Sequence, residues 1–488
     1  MTTLKKLTLL HSNDLHGDFL AEEVGGELIG GVSMLSGYVQ KVRREEENVL
    51  YAISGDMLRG SVIDSEYRGV STIEVMNMIG PDVVTLGNHE LDYGLAHLLF
   101  IEKCAKFPII NANLYLLNNR NRLFDGHVIF EVGGMRIMFI GILTEEVLVQ
   151  ARQEKTIGTF VDIAEAAAEV GKICDSYQTE DIDLTVLLTH IGFEEDKALA
   201  AALDPRWGVD IIVGGHSHTL LDEPCVVNGI PIVQAACGTD QIGRFDILVD
   251  TDRNAIHDYT WELVPITDAT CPRDEPLEAL IGRYKQATDD IYCRYLTRFE
   301  HEFTHPRRDR ETEVGKLFAD MLRDSLRLDV VLVGSGSLRN ETLGPLVEYR
   351  NLVEMYPYDD EIHRVTVTGA TLKRMVNHIF REEAFSGERT KMYQYSRGMG
   401  IVSSLKERRV LEITYEGNPI DDDRIFRIGL QDYHFNNMED SFGITLEEAN
   451  AIEPTRVVAT KTVNVFDEYL SICELVKCPE DVRWLTIE

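Results

Sequence analysis

Five apolar, strand-like runs in the first half of the 488-residue chain are each followed within three residues by Asp, Asn or His. A helical pattern between the first two runs has Val32, Leu35, Val39 and Val42 on one face. This alternation of strands and helices predicts a layered α/β domain, in which polar residues at the carboxyl ends of strands meet in one site. The runs are Leu7–His11, Val49–Ile53, Val83–Leu86, Leu184–Leu188 and Ile211–Val213.

The first two runs lead into short motifs that contain carboxylates. In Asn13-Asp14-Leu15-His16-Gly17, Asp14 and His16 are two apart, and on an extended segment their side chains point the same way. The next motif is Ser54-Gly55-Asp56. Since a carboxylate has two oxygens, Asp56 can bridge two cations at the ~3.5–4 Å separation that two-metal hydrolysis uses.

The third motif, Gly87-Asn88-His89-Glu90-Leu91-Asp92, offers both a ligand and an acid–base pair. The Asn88 side-chain oxygen is a neutral, hard ligand. Asp92 is within reach of His89 if a helix begins here, because residues three apart are neighbours on a helix. That pairing would orient the His89 imidazole and favour its protonated form.

The last two runs lead to histidines: His190 in Thr189-His190, and His216 and His218 in Gly214-Gly215-His216-Ser217-His218. Any one of these motifs alone is usually a polar turn or a surface histidine. Five of them, each placed after a strand-like run, indicate a shared metal centre. A mixed nitrogen and oxygen ligand set without thiolate suits Mn²⁺, Zn²⁺, Fe or Co²⁺.

Composition excludes several other classes of protein. With 82 acidic and 48 basic residues the net charge is −34, which disfavours binding to nucleic acids or anionic membranes. No stretch approaches the ~20 apolar residues of a membrane helix, and the apolar run at the N-terminus is too short for a signal peptide, so a cytoplasmic location is expected. The eight cysteines are dispersed and form no CxxC pair, which argues against disulfides and against a thiolate zinc site.

Taken together, the five motifs resemble those of the calcineurin-like metallophosphoesterases, over roughly Leu7–Val264. The rest of the chain is similar to the C-terminal domain of 5′-nucleotidases and UDP-sugar hydrolases. The resemblance implies an α/β protein with an N-terminal four-layer α/β/β/α sandwich and a C-terminal α/β substrate-binding domain. With the break in pattern after residue 266, we expect a catalytic domain over 1–266, a linker helix within 267–304 and the substrate-binding domain over 305–488.

The resemblance also implies a role for each motif residue. Two divalent metal ions are expected, and they would activate a water for in-line attack on phosphorus. A protonated His89, held by Asp92, would stabilise the developing charge or the leaving oxygen. The implied ligands are Asp14, His16, His218 and the bridging Asp56 for one ion, and Asn88, His190, His216 and the same Asp56 for the other.

In the second domain the resemblance points to substrate-binding arginines and aromatic rings. Its candidates for phosphate binding are Arg308, Arg310 and Arg339, because guanidinium forks match phosphate geometry. Its candidates for base stacking are Tyr358 and, in a later segment, Tyr433, His434 and Phe435. The chain departs from the family pattern at Gly334 and Ser337, where the family has Asn and Gly, and at 438–442, where a Gly-Gly-Asp-Gly-Tyr stretch is replaced.

The leading hypothesis is therefore a 5′-nucleotidase, which hydrolyses a nucleoside 5′-monophosphate to a nucleoside and phosphate. There are two alternatives: an enzyme that acts on other nucleotide substrates, and a protein that binds nucleotides without catalysis. A 2′,3′-cyclic nucleotide phosphodiesterase or nucleotide-sugar pyrophosphatase would share the metal centre, whereas a non-catalytic nucleotide-binding protein would lack part of it. The expected partner in each case is a small-molecule nucleotide, and the oligomeric state is left open.

Overall fold

The computed structural model describes residues 3–116, 121–144, 157–159, 163–358, 360–386 and 392–487. The chain divides into two compact units, 1–288 and 289–488. The helix Glu275–Tyr292 lies inside the segment predicted as a linker. The domain boundaries predicted from the sequence remain predictions.

The first unit contains two six-stranded sheets that pack face to face. The first sheet has the strand order Ala255–Pro265, Gln241–Asp250, Leu4–Ser12, Val49–Ser54, Val83–Thr85, Ile109–Ile110. The second has the order Cys225–Val227, Ile230–Val233, Ile211–Val213, Leu184–His190, Met135–Leu143, His127–Val132. Small two-stranded ribbons pair Glu22–Val24 with Glu27–Ile29, and Leu114–Leu116 with Ile157–Thr159.

Helices cover the outer faces of both sheets. One apolar cluster, which includes Leu9, Ala52 and Phe139, fills the space between the sheets. A second cluster lies between the first sheet and its helices, and a third lies between the second sheet and its helices. The unit is therefore the predicted four-layer α/β/β/α sandwich. Its helices are Val32–Glu45, Val62–Tyr67, Val70–Ile79, Leu95–Cys104, Ile163–Ser176 and Phe193–Ala202, with short 3₁₀ turns at His89–Leu91 and Pro205–Trp207.

Parallel pairing places the motif-bearing strand ends together. In the first sheet Leu4–Ser12, Val49–Ser54 and Val83–Thr85 run parallel, so their carboxyl ends share one edge. Leu184–His190 and Ile211–Val213 run parallel in the second sheet. The first sheet also carries antiparallel strands beyond Leu4–Ser12, which the sequence did not reveal.

The second unit is built on a five-stranded mixed sheet with one apolar cluster on each face. One of its helices begins at Glu313, and Thr368 caps another, its hydroxyl accepting from the Thr371 N–H at 3.2 Å. Among the described residues, no helix combines the length and apolarity needed to span a membrane. The sheet has the order Tyr393–Tyr395, Val330–Gly334, Ile425–Gln431, Ile362–Thr368, Arg456–Ala459.

Smaller sheets and several helices complete this unit. The three-stranded sheet is Leu346–Glu348, Tyr295–Phe299, Leu475–Val476, and the four-stranded sheet is Asn418–Pro419, Arg409–Tyr415, Met399–Ser404, Trp484–Ile487. A ribbon pairs Phe303–Thr304 with Thr342–Leu343. The helices are Glu313–Leu326, Tyr349–Met355, Gly369–Ile379, Glu382–Ser386, Asp432–Asn436, Met438–Phe442, Leu446–Ala449 and Thr462–Ser471, with a 3₁₀ turn at Ser335–Ser337.

Candidate metal centre

Five of the seven predicted ligands have a left-handed backbone conformation. The φ angles are 52° at Asp14, 50° at His16, 51° at Asp56, 78° at His216 and 51° at His218. For non-glycine residues this region costs of order 1–3 kcal/mol, and it persists only where the surrounding structure enforces it. Backbone strain that is concentrated at one set of residues marks the loops that contain them as a functional site.

The sequence prediction was wrong about the local backbone of the first motif. Asp14 and His16 do not continue the strand Leu4–Ser12 as an extended segment, because the chain turns sharply after Ser12. Backbone N–H groups of Asp14 and His16 instead donate to the Gly55 and Asp56 carbonyls at 3.1 and 3.0 Å. The two loops are thus bonded to each other, and this brings their side chains together.

One group of ligand atoms comes from Asp14, His16 and His218, which lie within 4.8 Å of one another. The Asp14 carboxylate is fully buried, and its Oδ1 is 3.4 Å from His218 Nε2 and 4.0 Å from His16 Nε2. The Nε2 atoms of His16 and His218 are only 3.0 Å apart. Asp56 Oδ2 lies 3.9 Å from His16 Nε2 and so borders this group.

A second group comprises Asp56, His190 and His216, joined by Asn88. Asp56 Oδ2 is 3.1 Å from His190 Nε2. Asn88 Oδ1 lies 3.2 Å from the same His190 nitrogen and 2.8 Å from His216 Nδ1. Because Asp56 borders both groups, the seven predicted ligands form one connected cluster.

The hydrogen bonds on the far sides of the rings show that this cluster fits cations. His190 Nδ1 is 2.8 Å from the Ser54 carbonyl, and His16 Nδ1 is 3.2 Å from the Leu58 carbonyl. A carbonyl only accepts, so each Nδ1 carries the hydrogen and each Nε2 presents its lone pair to the cluster. Lone pairs of nitrogen and oxygen therefore converge on shared points, where a positive ion satisfies them.

Ionisation within the cluster is consistent with the same conclusion. Burial lowers the pKa of His190, but the Asp56 and Asp14 carboxylates outweigh burial and raise it to about 9. Burial raises the pKa of Asp56, but His190 and His89 hold it well below its usual range. The local potential is thus strongly negative and attracts positive charge, which a divalent ion would supply in place of protons.

Glu90 supports the Asp56 loop, a function that the sequence reading did not assign to it. This fully buried carboxylate accepts four backbone N–H groups: Oε1 from Met57 and Leu58 at 2.8 and 3.3 Å, and Oε2 from Asp56 and Gly87 at 3.1 and 2.6 Å. A Cβ atom at Gly87 would lie 2.1 Å from Asp56 Oδ1. Only glycine allows this approach of the two loops.

His89 and Asp92 form the predicted pair. A 3₁₀ turn begins at His89, and His89 Nδ1 lies 2.8 Å from Asp92 Oδ2. This hydrogen bond outweighs burial and raises the pKa of His89. Arg59, which the sequence analysis did not single out, donates to the same Asp92 oxygen at 2.7 Å. One ring nitrogen of His89 lies within 4.8 Å of the ligand atoms of His16 and Asp56.

In the second unit the structure brings together only part of the predicted substrate-binding set. The Arg339 guanidinium lies 5.1 Å from the ring centroid of Tyr358 and is hydrogen-bonded to its hydroxyl. Tyr358 and Tyr433 are exposed. Arg308 and Arg310 line a separate groove, whose walls include neither Arg339 nor Tyr358.

The segment predicted to supply the second stacking ring is mostly packed inward. His434 is buried, and its Nδ1 is 2.9 Å from the Tyr393 hydroxyl. Phe435 stacks face to face on His363, with ring centroids 4.0 Å apart. A Cβ atom at Gly334 would lie 2.3 Å from His434 Nε2, which gives a physical reason for glycine at that departure from the family pattern.

A cation-binding cluster of Asp, Asn and His at the strand ends of an α/β/β/α sandwich, with an Asp-paired histidine beside it, defines a metal-dependent phosphoester hydrolase. Comparison with known proteins makes the class specific. Residues 7–220 match the calcineurin-like phosphoesterase family model, and residues 291–445 match that of the 5′-nucleotidase C-terminal domain. The chain therefore combines a calcineurin-like phosphoesterase domain with a 5′-nucleotidase C-terminal domain.

Individual relatives share this two-part organisation. The 5′-nucleotidase of Mus musculus is 26% identical over 530 residues, which cover 96% of this chain and 89% of that protein. The 5′-nucleotidase precursor of Thermus thermophilus is similar in fold, with a TM-score of 0.66, 22% identity and 99% of each chain covered. The NAD nucleotidase of Haemophilus influenzae superposes over 100% of both chains with a TM-score of 0.59 and 17% identity. The metallophosphoesterase match implies divalent metal ions, and the relatives are nucleotidases, which act on small nucleotides.

Proposed function

We propose that this chain is a 5′-nucleotidase that hydrolyses nucleoside 5′-monophosphates to a nucleoside and phosphate, using two divalent ions drawn from Mn, Zn, Co and Fe. The observation that carries the proposal is the cluster with Asp56 at its centre, in which nitrogen and oxygen lone pairs converge on two groups of ligand atoms. The similarity to 5′-nucleotidases over nearly the whole chain supports the choice of substrate.

The seven ligands divide between the two ions in a way that the distances support. Asp14, His16 and His218 would hold one ion, and Asn88, His190 and His216 the other, with Asp56 shared. Bound divalent ions supply Lewis-acid polarisation of the phosphoryl oxygens and activation of a water molecule. Hydrogen bonds to carbonyl groups fix the ring orientations of His16 and His190 beforehand, so these two rings need little reorganisation on binding.

His89 provides the proton chemistry. Its Nδ1–H donates to Asp92, which leaves Nε2 as the atom that can hold a proton towards the substrate. The hydrogen bond to Asp92 raises the pKa of His89, which favours the form that carries this proton. The residue can then donate to a phosphoryl oxygen or to the departing ribose oxygen as negative charge develops there.

In the second unit, Arg339 and Tyr358 are the strongest candidates for substrate contacts. They are exposed and adjacent, and together they present a cation beside an aromatic ring, which suits a phosphate next to a base. Arg339→Lys keeps the charge but removes the planar fork, so it is expected to raise KM more than it lowers kcat.

The direct test is phosphate release by metal-stripped protein reloaded with Mn²⁺, Zn²⁺, Co²⁺ or Mg²⁺. The substrate panel contains AMP, GMP, UMP, 2′,3′-cyclic AMP, UDP-glucose and bis-p-nitrophenyl phosphate, with an added phosphatase for the diesters. The His89→Asn protein, reloaded in the same way, is the control for contaminating phosphatases. We expect a preference for a nucleoside monophosphate. Activity confined to diesters would reassign the substrate and keep the metal centre, whereas inactivity with every metal would refute the enzymatic assignment.

A further inference from the structure

A second cluster of ligand-type side chains lies in the unit that does not contain the metal centre. It consists of His301, Glu313 and Cys478, whose ligand atoms all lie within 4.8 Å of one another. His301 follows the strand Tyr295–Phe299, and Cys478 follows the strand Leu475–Val476. These two strands pair in parallel, so the residues that follow them emerge side by side. Glu313 is the first residue of a helix.

The distances within this cluster match the edges of a tetrahedral zinc site. Zn²⁺ binds imidazole and carboxylate at about 2.0–2.2 Å and thiolate at about 2.3 Å, which places tetrahedral N–O and O–S pairs about 3.3 and 3.6 Å apart. Here His301 Nε2 is 3.2 Å and Cys478 Sγ 3.5 Å from the same Glu313 oxygen, Oε1. Two of the three edges thus have the length that a shared ion requires, and the third pair, a His301 ring nitrogen and Cys478 Sγ, lies within 4.8 Å.

Surrounding hydrogen bonds hold the candidate ligands in place. The backbone N–H and the hydroxyl of Thr304 donate to Glu313 Oε2 at 2.9 and 3.0 Å, which leaves Oε1 directed at the cluster. Glu300 Oε1 accepts from the Cys478 N–H at 2.9 Å and lies 3.8 Å from His301 Nδ1. A carboxylate behind the second nitrogen of a histidine is the usual outer-shell partner of a zinc ligand.

We propose that His301, Glu313 and Cys478 bind one Zn²⁺ ion, with water in the fourth position, and that this ion ties the two strand ends to the helix Glu313–Leu326. The Cys478 thiol donates its hydrogen to Glu313 in the ion-free protein. Binding releases that proton to solvent, and the thiolate and the carboxylate then balance the charge of the ion. The absence of a CxxC pair argued against a thiolate site, but here the ligands come from three separate segments.

Cobalt provides a test that does not depend on catalysis. The full-length protein is stripped with a chelator, kept reduced with a phosphine and titrated with Co²⁺. A thiolate ligand gives an intense near-ultraviolet sulfur-to-cobalt charge-transfer band, which the metal centre of Asp, Asn and His cannot produce. Because the metal centre also takes up Co²⁺, we expect this band to saturate by three Co²⁺ per chain, with an intensity that corresponds to one thiolate-bound ion, and to disappear when Zn²⁺ is added.

Matched cysteine variants locate the ligand. The band is expected to persist in Cys473→Ser, from the same region, and in Cys237→Ser, the exposed thiol of the first unit, and to vanish in Cys478→Ser. Thr304→Val keeps every ligand but removes one donor to Glu313, so it is expected to weaken Co²⁺ binding roughly 10-fold to 100-fold. If Cys478→Ser fails to fold, Thr304→Val still decides. No band, an unchanged band in Cys478→Ser or unchanged affinity in Thr304→Val would overturn the proposal.

Discussion

Replacing Asp92 by Asn tests how His89 keeps its proton. The Asn side chain can still accept from His89 Nδ1–H with its oxygen, so the ring orientation is retained while the negative charge is removed. Asp92 is not among the metal ligands, and metal content is therefore expected to stay the same. The variant isolates the effect of the carboxylate charge on the imidazole.

The size of the effect follows from the geometry of the pair. A charge-assisted hydrogen bond contributes about 1.5–3 kcal/mol, and 1.36 kcal/mol corresponds to one pKa unit. Loss of the whole hydrogen bond would therefore lower the pKa of His89 by about 1–2 units. The His89 side chain is 33% exposed, and Arg59 already compensates part of the Asp92 charge, so we expect the lower end. The pKa of His89 should fall by about one unit.

The assay is the pH dependence of kcat with nucleoside monophosphate at saturating metal. As the proposed acid, His89 can act only below its pKa, so activity is expected to decline as pH rises through that value. In Asp92→Asn this alkaline limb should move about one unit lower, with about tenfold less activity on its alkaline side. Arg59→Gln is the matched control, because it frees Asp92 from its other partner and should move the limb slightly upward. An unmoved limb in Asp92→Asn, with metals still bound, would refute the reasoning.

Four further substitutions test other parts of the structure. Asp56→Asn is expected to remove most of the activity together with the bound metal. His89→Asn should keep the metal and lower kcat by roughly 10²–10⁴-fold. Metal content is measured by elemental analysis, and equal metal loss in both variants would contradict the role assigned to His89. Glu90→Gln replaces one carboxylate oxygen, which accepts two backbone N–H groups, by an NH₂ group that can only donate. The free energy of unfolding, measured by urea titration, should fall by ~3–6 kcal/mol. An unchanged midpoint would show that Glu90 does not support the loop. Gly334→Ala forces a Cβ against His434 and should destabilise the protein by ~1–3 kcal/mol in the same assay, and a neutral result would mean that the ring has room to move.

The sandwich and the ligand cluster were predictable because their signals are local. Each buried strand is an apolar run, and parallel pairing brings the ends of such runs together. A polar residue that follows a run such as Leu184–Leu188 is therefore expected to lie in the shared site. The His89–Asp92 pair was predictable for a similar reason, since a three-residue spacing on one turn fixes the neighbour.

The supporting residues were not predictable because their partners are distant in sequence. Glu90 accepts from backbone groups about thirty residues earlier in the chain, and no pattern near Glu90 encodes that contact. Arg59 reaches Asp92 across a similar separation. His434 was predicted as a stacking ring, but it is buried because Gly334, in a different strand, leaves space for it.

Five of the proposed ligands, Asp14, His16, Asp56, His216 and His218, have a left-handed backbone, and this restricts which residues can replace them. Asn, Asp and His occupy this conformation far more readily than bulky or β-branched residues do. An exchange of one ligand for another therefore has to satisfy the backbone as well as the ion. Libraries designed to change the metal preference of this enzyme should draw on Asn, Asp and His at these positions, since bulky or β-branched replacements would add backbone strain of order 1–3 kcal/mol at each one.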